Sequence, residues 1–132
     1  METEKLCVNL TAAEIGKIDL LVARGLYMNR SDAVRAGLDK VFAEHDEEID
    51  RVRTALGASV LGTARIDRQR LERAIAEDKA LDYKVIGILT IDADVTPELA
   101  LKGVHDIFLL GSLRGPKRVI EALSARIRRR PF

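Results

Sequence analysis

The sequence predicts an α+β chain built in two parts. The first part is one strand followed by two helices. The second is a small parallel array of strand-helix units, solenoid-like in outline. Three observations carry this prediction. "KLCVNL" at residues 5–10 alternates apolar and polar side chains, the period of a half-buried strand. Two stretches with apolar residues at helical spacing follow it before residue 45. Three glycines, Gly62, Gly87 and Gly111, then recur at steps of 25 and 24 in similar surroundings.

Composition bounds the reading. The chain has 132 residues, enough for one domain or two very small ones. Apolar residues make up 47% and aromatics only 4%, so the core must be mainly Leu, Ile, Val and Ala. The net charge is +1, so no global field attracts nucleic acid or a membrane surface. The single cysteine, Cys7, cannot form an internal disulfide, which agrees with a reducing cytoplasm. No apolar run approaches the ~20 residues of a membrane span. The opening "METEK" does not read as a secretion signal. A cytoplasmic chain without a membrane partner is expected.

In the strand 5–10, Leu6, Val8 and Leu10 share one face, and Lys5, Cys7 and Asn9 share the other. No second strand follows closely. A lone strand leaves its backbone groups unpaired, and the same strand of a second copy is the most economical partner. Thr11 with Glu14 has the spacing of a capping box, opening a helix whose stripe is Ile15, Ile18, Leu21 and Val22. Gly25 is placed to stop it. Ser31 is the expected N-cap of the next helix, whose stripe is Val34, Leu38, Val41 and Phe42. The spacing continues through Ile49, Val52 and Leu56 to a stop at Gly57. Asp46, Glu47 and Glu48 read as a solvated face.

The second half carries the glycine period. "VLGTARID" (60–67), "VIGILTID" (85–92) and "LLGSLRGP" (109–116) share two apolar residues before the glycine. Each precedes a helical signal. Leu71 and Ile75 mark the first, with Ala64 standing where the other units have leucine. Val95 and Leu99 mark the second, with Thr96 as N-cap and Pro97 at N1. Val119 and Leu123 mark the third. Three strands are expected side by side, helices on one flank, with two open sheet edges. The basic run Arg128-Arg129-Arg130 reads as a solvated tail.

The order strand, helix, turn, helix over residues 4–45 resembles the ribbon-helix-helix family of DNA-binding proteins. The resemblance is carried by "KLCVNLT", by "IDLLVARGLYMNRSDAVRAGL" and above all by the Gly-x-x-x-Asn-Arg-Ser turn into a Val-Arg-x-Gly-Leu helix. It implies an intertwined homodimer whose paired strands form a ribbon in the DNA major groove. The dimer core would be Leu6, Val8, Leu10, Ile18, Val34 and Leu38. Base readout would fall to Lys5, Cys7 and Asn9. Lysine suits guanine O6 and N7, and asparagine suits adenine N6 and N7. Cys7 departs from the family's usual polar residue there. The turn Asn29, Arg30, Ser31 would clamp phosphate, as a helix N-terminus can. The resemblance does not extend to the second half.

Charge sets a limit on affinity. Residues 1–45 hold six basic side chains (Lys5, Lys17, Arg24, Arg30, Arg35, Lys40) against seven acidic ones (Glu2, Glu4, Glu14, Asp19, Asp32, Asp39, Glu44). Phosphate contacts supply most non-specific affinity, so one dimer should bind weakly and several together should compensate.

No catalytic constellation is visible. His45 and His105 lie in different halves with no zinc or nickel spacing. The histidine-rich pattern of the family's nickel-responsive branch is absent. Asp92-x-Asp94 reads as a turn before Thr96, not a magnesium site. Ser59 and Ser112 lack a nearby base, and Gly57, Gly62 and Gly87 form no phosphate loop. No cofactor is expected.

The resulting division is a DNA-binding and dimerisation part at 1–45, a helical extension at 46–57, and a repeat part at 58–132. The repeat part would assemble dimers further or capture a partner protein, with Gly62, Gly87 and Gly111 setting its phase. The leading expectation is a bacterial repressor acting on double-stranded DNA. One alternative is the antitoxin of a toxin-antitoxin pair. Another is a scaffold whose ribbon serves only dimerisation.

Overall fold

The computed structural model describes residues 2–58 and 60–129. Ser59 and Arg130 lie outside them. The described chain holds five α-helices and four parallel strands, in two compact units: Thr3–Arg51, and the remainder from Val52 onward.

In the first unit, α1 spans Ala12–Ala23. Its start is the expected capping box: Thr11 Oγ1 accepts from the Glu14 N–H (3.2 Å), and the Glu14 carboxylate accepts from the Thr11 N–H (3.1 Å). Hydrogen bonding from Thr11, its backbone N–H first and its side chain second, holds the Glu14 carboxyl below the usual glutamate range. The helix ends in a Schellman pair. The Gly25 N–H donates to Val22 O and the Leu26 N–H to Leu21 O. Gly25 supplies the positive φ, +79°, that this ending requires.

α2 runs unbroken from Arg30 to Leu56 and closes with the same device at Gly57 and Ala58. Its cap corrects the sequence expectation. Asn29, not Ser31, is the N-cap: Asn29 Oδ1 accepts from the Asp32 N–H (2.8 Å), and Asn29 O takes the first helical bond, from Ala33. Asp32 in turn accepts from the Met28 N–H (3.0 Å). Asn and Ser are near-equal caps, so rank could not choose between them. The reach of Asp32 back to Met28 accompanies a cap two residues earlier than expected.

The second unit carries β1 (Val60–Ile66), α3 (Arg68–Ala76), β2 (Leu81–Ile91), α4 (Pro97–Gly103), β3 (Val104–Arg114), α5 (Lys117–Leu123) and β4 (Ile127–Arg128). The strands pair in chain order, all parallel. Two of its helices begin with a side-chain cap. Asp67 caps α3 by accepting from Arg70 N (2.7 Å), and Thr96 caps α4 by accepting from Leu99 N (3.2 Å), with Pro97 at its first position.

The register explains the glycine period. Gly62 lies opposite Gly87, and Gly87 opposite Gly111. Val60, Val85 and Leu109 form the adjacent row, and Ala64, Leu89 and Leu113 the row beyond. One face of the sheet packs on the helices. Its core includes Ile66, Val85, Leu89, Ile107 and Leu109 from the strands and Leu71, Ala100, Val119 and Leu123 from the helices. Nine such side chains are essentially removed from water, each contributing ~1.5–3 kcal/mol.

All three row glycines have φ near +130°, a conformation closed to side chains. A Cβ at Gly87 would overlap the carbonyl oxygen of Gly62 and lie 2.8 Å from its carbon; Gly111 meets Gly87 the same way. Each glycine thus leaves room for the carbonyl of the strand before it.

The C-terminal segment corrects two expectations. The array has a fourth strand: Ile127 and Arg128 pair with Ile107 and Phe108. Arg128 and Arg129 are not a solvated tail. Arg128 forms a two-pronged ion pair with Asp106, and Arg129 Nη1 donates to Gly111 O (2.9 Å). Arg126 Nη1 donates to Leu101 O and to Val104 O (2.6 Å). Charge-run reading misses this because the acceptors lie some twenty residues away.

The Asp106 carboxyl is held below the usual aspartate range, chiefly by its hydrogen bond from Arg128. The folded pKa is depressed, so the stabilisation is present above the unfolded value, about 3.9, and lost as pH falls through the folded one. Pairing of β4 should therefore loosen only in acid, below about pH 4. Amide exchange at Ile127 and Arg128 checks this: it should rise on acidification beyond the intrinsic trend in the wild type, and be raised at every pH in Asp106→Asn. Wild-type protection unchanged down to about pH 2 would refute it.

Candidate nucleic-acid interface

The first unit does not bury a single residue of either helix. Leu6 is 81% exposed, and Val8, Val34, Leu38, Val41 and Phe42 are all open to solvent. Ile18 is half-buried. Burial of apolar surface is the main force that fixes helices against each other, and here it has not been used. Residues 2–10 form no strand within the chain. A backbone ladder needs a second strand, and the described residues of this chain offer none there.

The polar residues predicted for readout are exposed. Lys5, Cys7 and Asn9 all face solvent and alternate with Leu6, Val8 and Leu10. At the turn, the backbone N–H groups of Arg30 and Ser31 occupy the first two helical positions, where no intrahelical acceptor exists. Asn29 is committed through its Oδ1 to the cap.

Arg30 has a partner that sequence reading missed. Its Nε and one Nη donate to the two carboxylate oxygens of Asp19 on α1, both at 2.8 Å. The hydrogen bond draws the Asp19 carboxyl below its usual range and raises the guanidinium of Arg30. The pair fixes α2 to α1 across the turn and locally cancels the charge proposed for phosphate. The eleven-residue separation, bridging a glycine turn, hid it from any helical-spacing rule.

The remaining charged groups are ordinary. His45 sits 3.7 Å from Glu48, and His105, exposed on β3, lies 2.9 Å from Asp82. Asp92 pairs with Arg65 (3.3 Å), in the turn expected before Thr96. Among the described residues no three His, Cys, Asp or Glu side chains group as a metal site, and no helix is long and apolar enough to cross a membrane.

The first unit is thus a pair of capped helices without a buried residue, preceded by residues 5–10 whose alternating apolar and polar side chains are exposed. The model of the Ribbon-Helix-Helix transcriptional regulator family matches residues 1–120, and the chain belongs to that family. The match runs beyond α1 and α2, through β3 and into α5, so strands β1 to β3 are part of what the family model covers. Members of such a family are DNA-binding transcriptional regulators. Neither the comparison with curated proteins nor that with solved structures found a match.

Proposed function

We propose that the chain is a homodimeric repressor that places a two-stranded ribbon in the major groove. The observation that carries this is the complete absence of buried residues in α1 and α2. Two copies, with residues 5–10 paired antiparallel, would cover Leu6, Val8, Leu10, Ile18, Val34 and Leu38 together. Lys5, Cys7 and Asn9 would then face the groove, where a β-ribbon reads base edges through alternate side chains. The turn Asn29, Arg30, Ser31 would meet the phosphates. The second unit, a solenoid-like stack of strand-helix units from about residue 58, would assemble dimers or hold a partner protein.

The test is a mobility shift on DNA co-purified with the protein from its native cell. Lys5→Ala and Asn9→Ala should each cost about 1–3 kcal/mol on the specific site, with non-specific binding changed much less for Asn9. Equal binding by all three proteins on every fragment would remove base readout and leave a scaffold.

The Asp19 pair makes a second, opposite expectation. Asp19→Asn removes one negative charge and frees the Arg30 guanidinium for phosphate. Affinity should rise severalfold, and the slope of log K against log salt should steepen by about one per protomer. A weaker complex with an unchanged slope would mean that Asp19 serves only to position the turn.

A further inference from the structure

The two edges of the parallel sheet are unlike. At the β4 edge the strand is two residues long, Arg128 is tied to Asp106, and Arg129 covers the carbonyl of Gly111. Short, charged, covered edges are how proteins prevent strand addition. The β1 edge has none of these features. Its seven residues hold no proline and one charge, Arg65, which is paired with Asp92 just past the end of β2. No described strand pairs with its outer side. Ile66 O accepts from Asp92 N and the Gly62 carbonyl faces Gly87, so the even-numbered backbone groups point into the sheet. Those of Leu61, Thr63 and Arg65 therefore point outward.

Gly62 adds an independent observation. Its φ of +132° matches Gly87 and Gly111, yet nothing lies within 4 Å of where its Cβ would stand. At the inner glycines that space is filled by the backbone of the preceding strand. At Gly62 it is kept open with no strand of this chain to use it. Leu61 beside it is 50% exposed, while Ile86 and Leu110, its neighbours in the same row, are half-buried.

We infer that the outer edge of β1 pairs antiparallel with β1 of a second copy, joining two sheets into one. This rests on the dimeric reading above and names the surface that the second unit uses. The occupant follows from chain connectivity. Only residues 57–59 separate the end of α2 from Val60, so a dimer made through the first unit ties two β1 strands into one assembly. Tethering gives a second contact an effective concentration in the millimolar range. A two-fold axis presents the same strand from both copies, and only an antiparallel pair satisfies it. Head-to-tail stacking would instead need the β4 edge, which Arg129 and the short strand close.

Amide exchange on the full-length protein tests this, reading two regions at once. The amides of Leu61, Thr63 and Arg65, on the edge where no described strand of their own chain pairs, should exchange on the order of a hundredfold more slowly than unpaired amides. Thr63→Pro, which removes one outward N–H, and Leu61→Lys, a milder edge charge, should each abolish protection at the remaining outward amides. Protection at residues 5–10 should persist in both variants. Spin labels on Thr63→Cys in a Cys7→Ser background should lie within about one strand length, ~24 Å, between copies. Protected residues 5–10 beside freely exchanging outward amides of β1 would overturn this inference and leave the dimer standing. Protection of β1 without a short inter-copy distance would overturn it in favour of another occupant. Free exchange in both regions would remove the dimeric reading and this one with it.

Discussion

Replacing Gly87 or Gly111 by alanine is expected to unfold the sheet, while the same change at Gly62 should be survivable. All three positions share the positive φ, near +130°, so each substitution carries backbone strain of about 1–3 kcal/mol. Within one chain that is the whole cost at Gly62, because nothing of the chain stands beside it; a partner strand on β1 would add to it. At Gly87 and Gly111 the new methyl would also overlap a carbonyl of the adjacent strand, and a backbone atom in the middle of a ladder cannot rotate aside. The combined loss should be about 4 kcal/mol or more, a large part of the 5–15 kcal/mol that typically holds a domain together. Urea titration of the three variants, followed by far-ultraviolet circular dichroism, reads the ranking directly. Equal midpoints would mean that the row tolerates a shift of the whole strand, contrary to the packing described. The same experiment separates the strain of the conformation from the clash, since within one chain Gly62 carries only the first.

A single charge on the apolar stripe of α2 should dissociate the protein. Leu38 is 43% exposed in one chain and lies one turn from Val34 and Phe42 on a helix without a buried residue. In the proposed dimer it is covered. Leu38→Asp would then bury an unpaired carboxylate, a change of about 3–5 kcal/mol, or roughly a thousandfold in the dimer dissociation constant. Sedimentation equilibrium should show monomer at concentrations where the wild type is dimeric. Specific DNA binding should vanish with it, because one copy supplies half a ribbon. The core of the second unit contains no residue of α1 or α2, so its thermal transition should stay near its wild-type value, apart from whatever the β1 edge contributes. A wild-type dimer constant in this variant would exclude Leu38 from the interface and leave the exposed stripe unexplained.

The two substitutions address different halves of one design. The first unit is built to be incomplete: its helices are capped at both ends, yet they hold no core. The second unit has a core of its own in Leu71, Leu89, Ile107, Leu109 and Leu123. In the proposed dimer the first depends on concentration and partner, and the second does so only along the β1 edge inferred above. Regulation by assembly needs this division, because DNA affinity can be lost by dissociation while the chain stays folded.

What the sequence by itself determined is local. Thr11 with Glu14, Gly25, Gly57, and Thr96 with Pro97 each mark a helix end that the structure shows at that residue, because a cap is settled by groups within about four positions of each other. The alternation of 5–10 and the steps from Gly62 to Gly87 to Gly111 were legible for a related reason: a period needs only spacing. Tertiary structure decided everything that depends on groups far apart in the chain. It tied Arg30 to Asp19, paired Ile127 and Arg128 as a fourth strand, and set Arg129 on the Gly111 carbonyl, whereas the choice of Asn29 over Ser31 rested on the local Met28–Asp32 bond. It also showed why the glycines recur. A glycine period reads as stacking in one dimension. Only the folded sheet places the carbonyl of one strand where the side chain of the next would have to be.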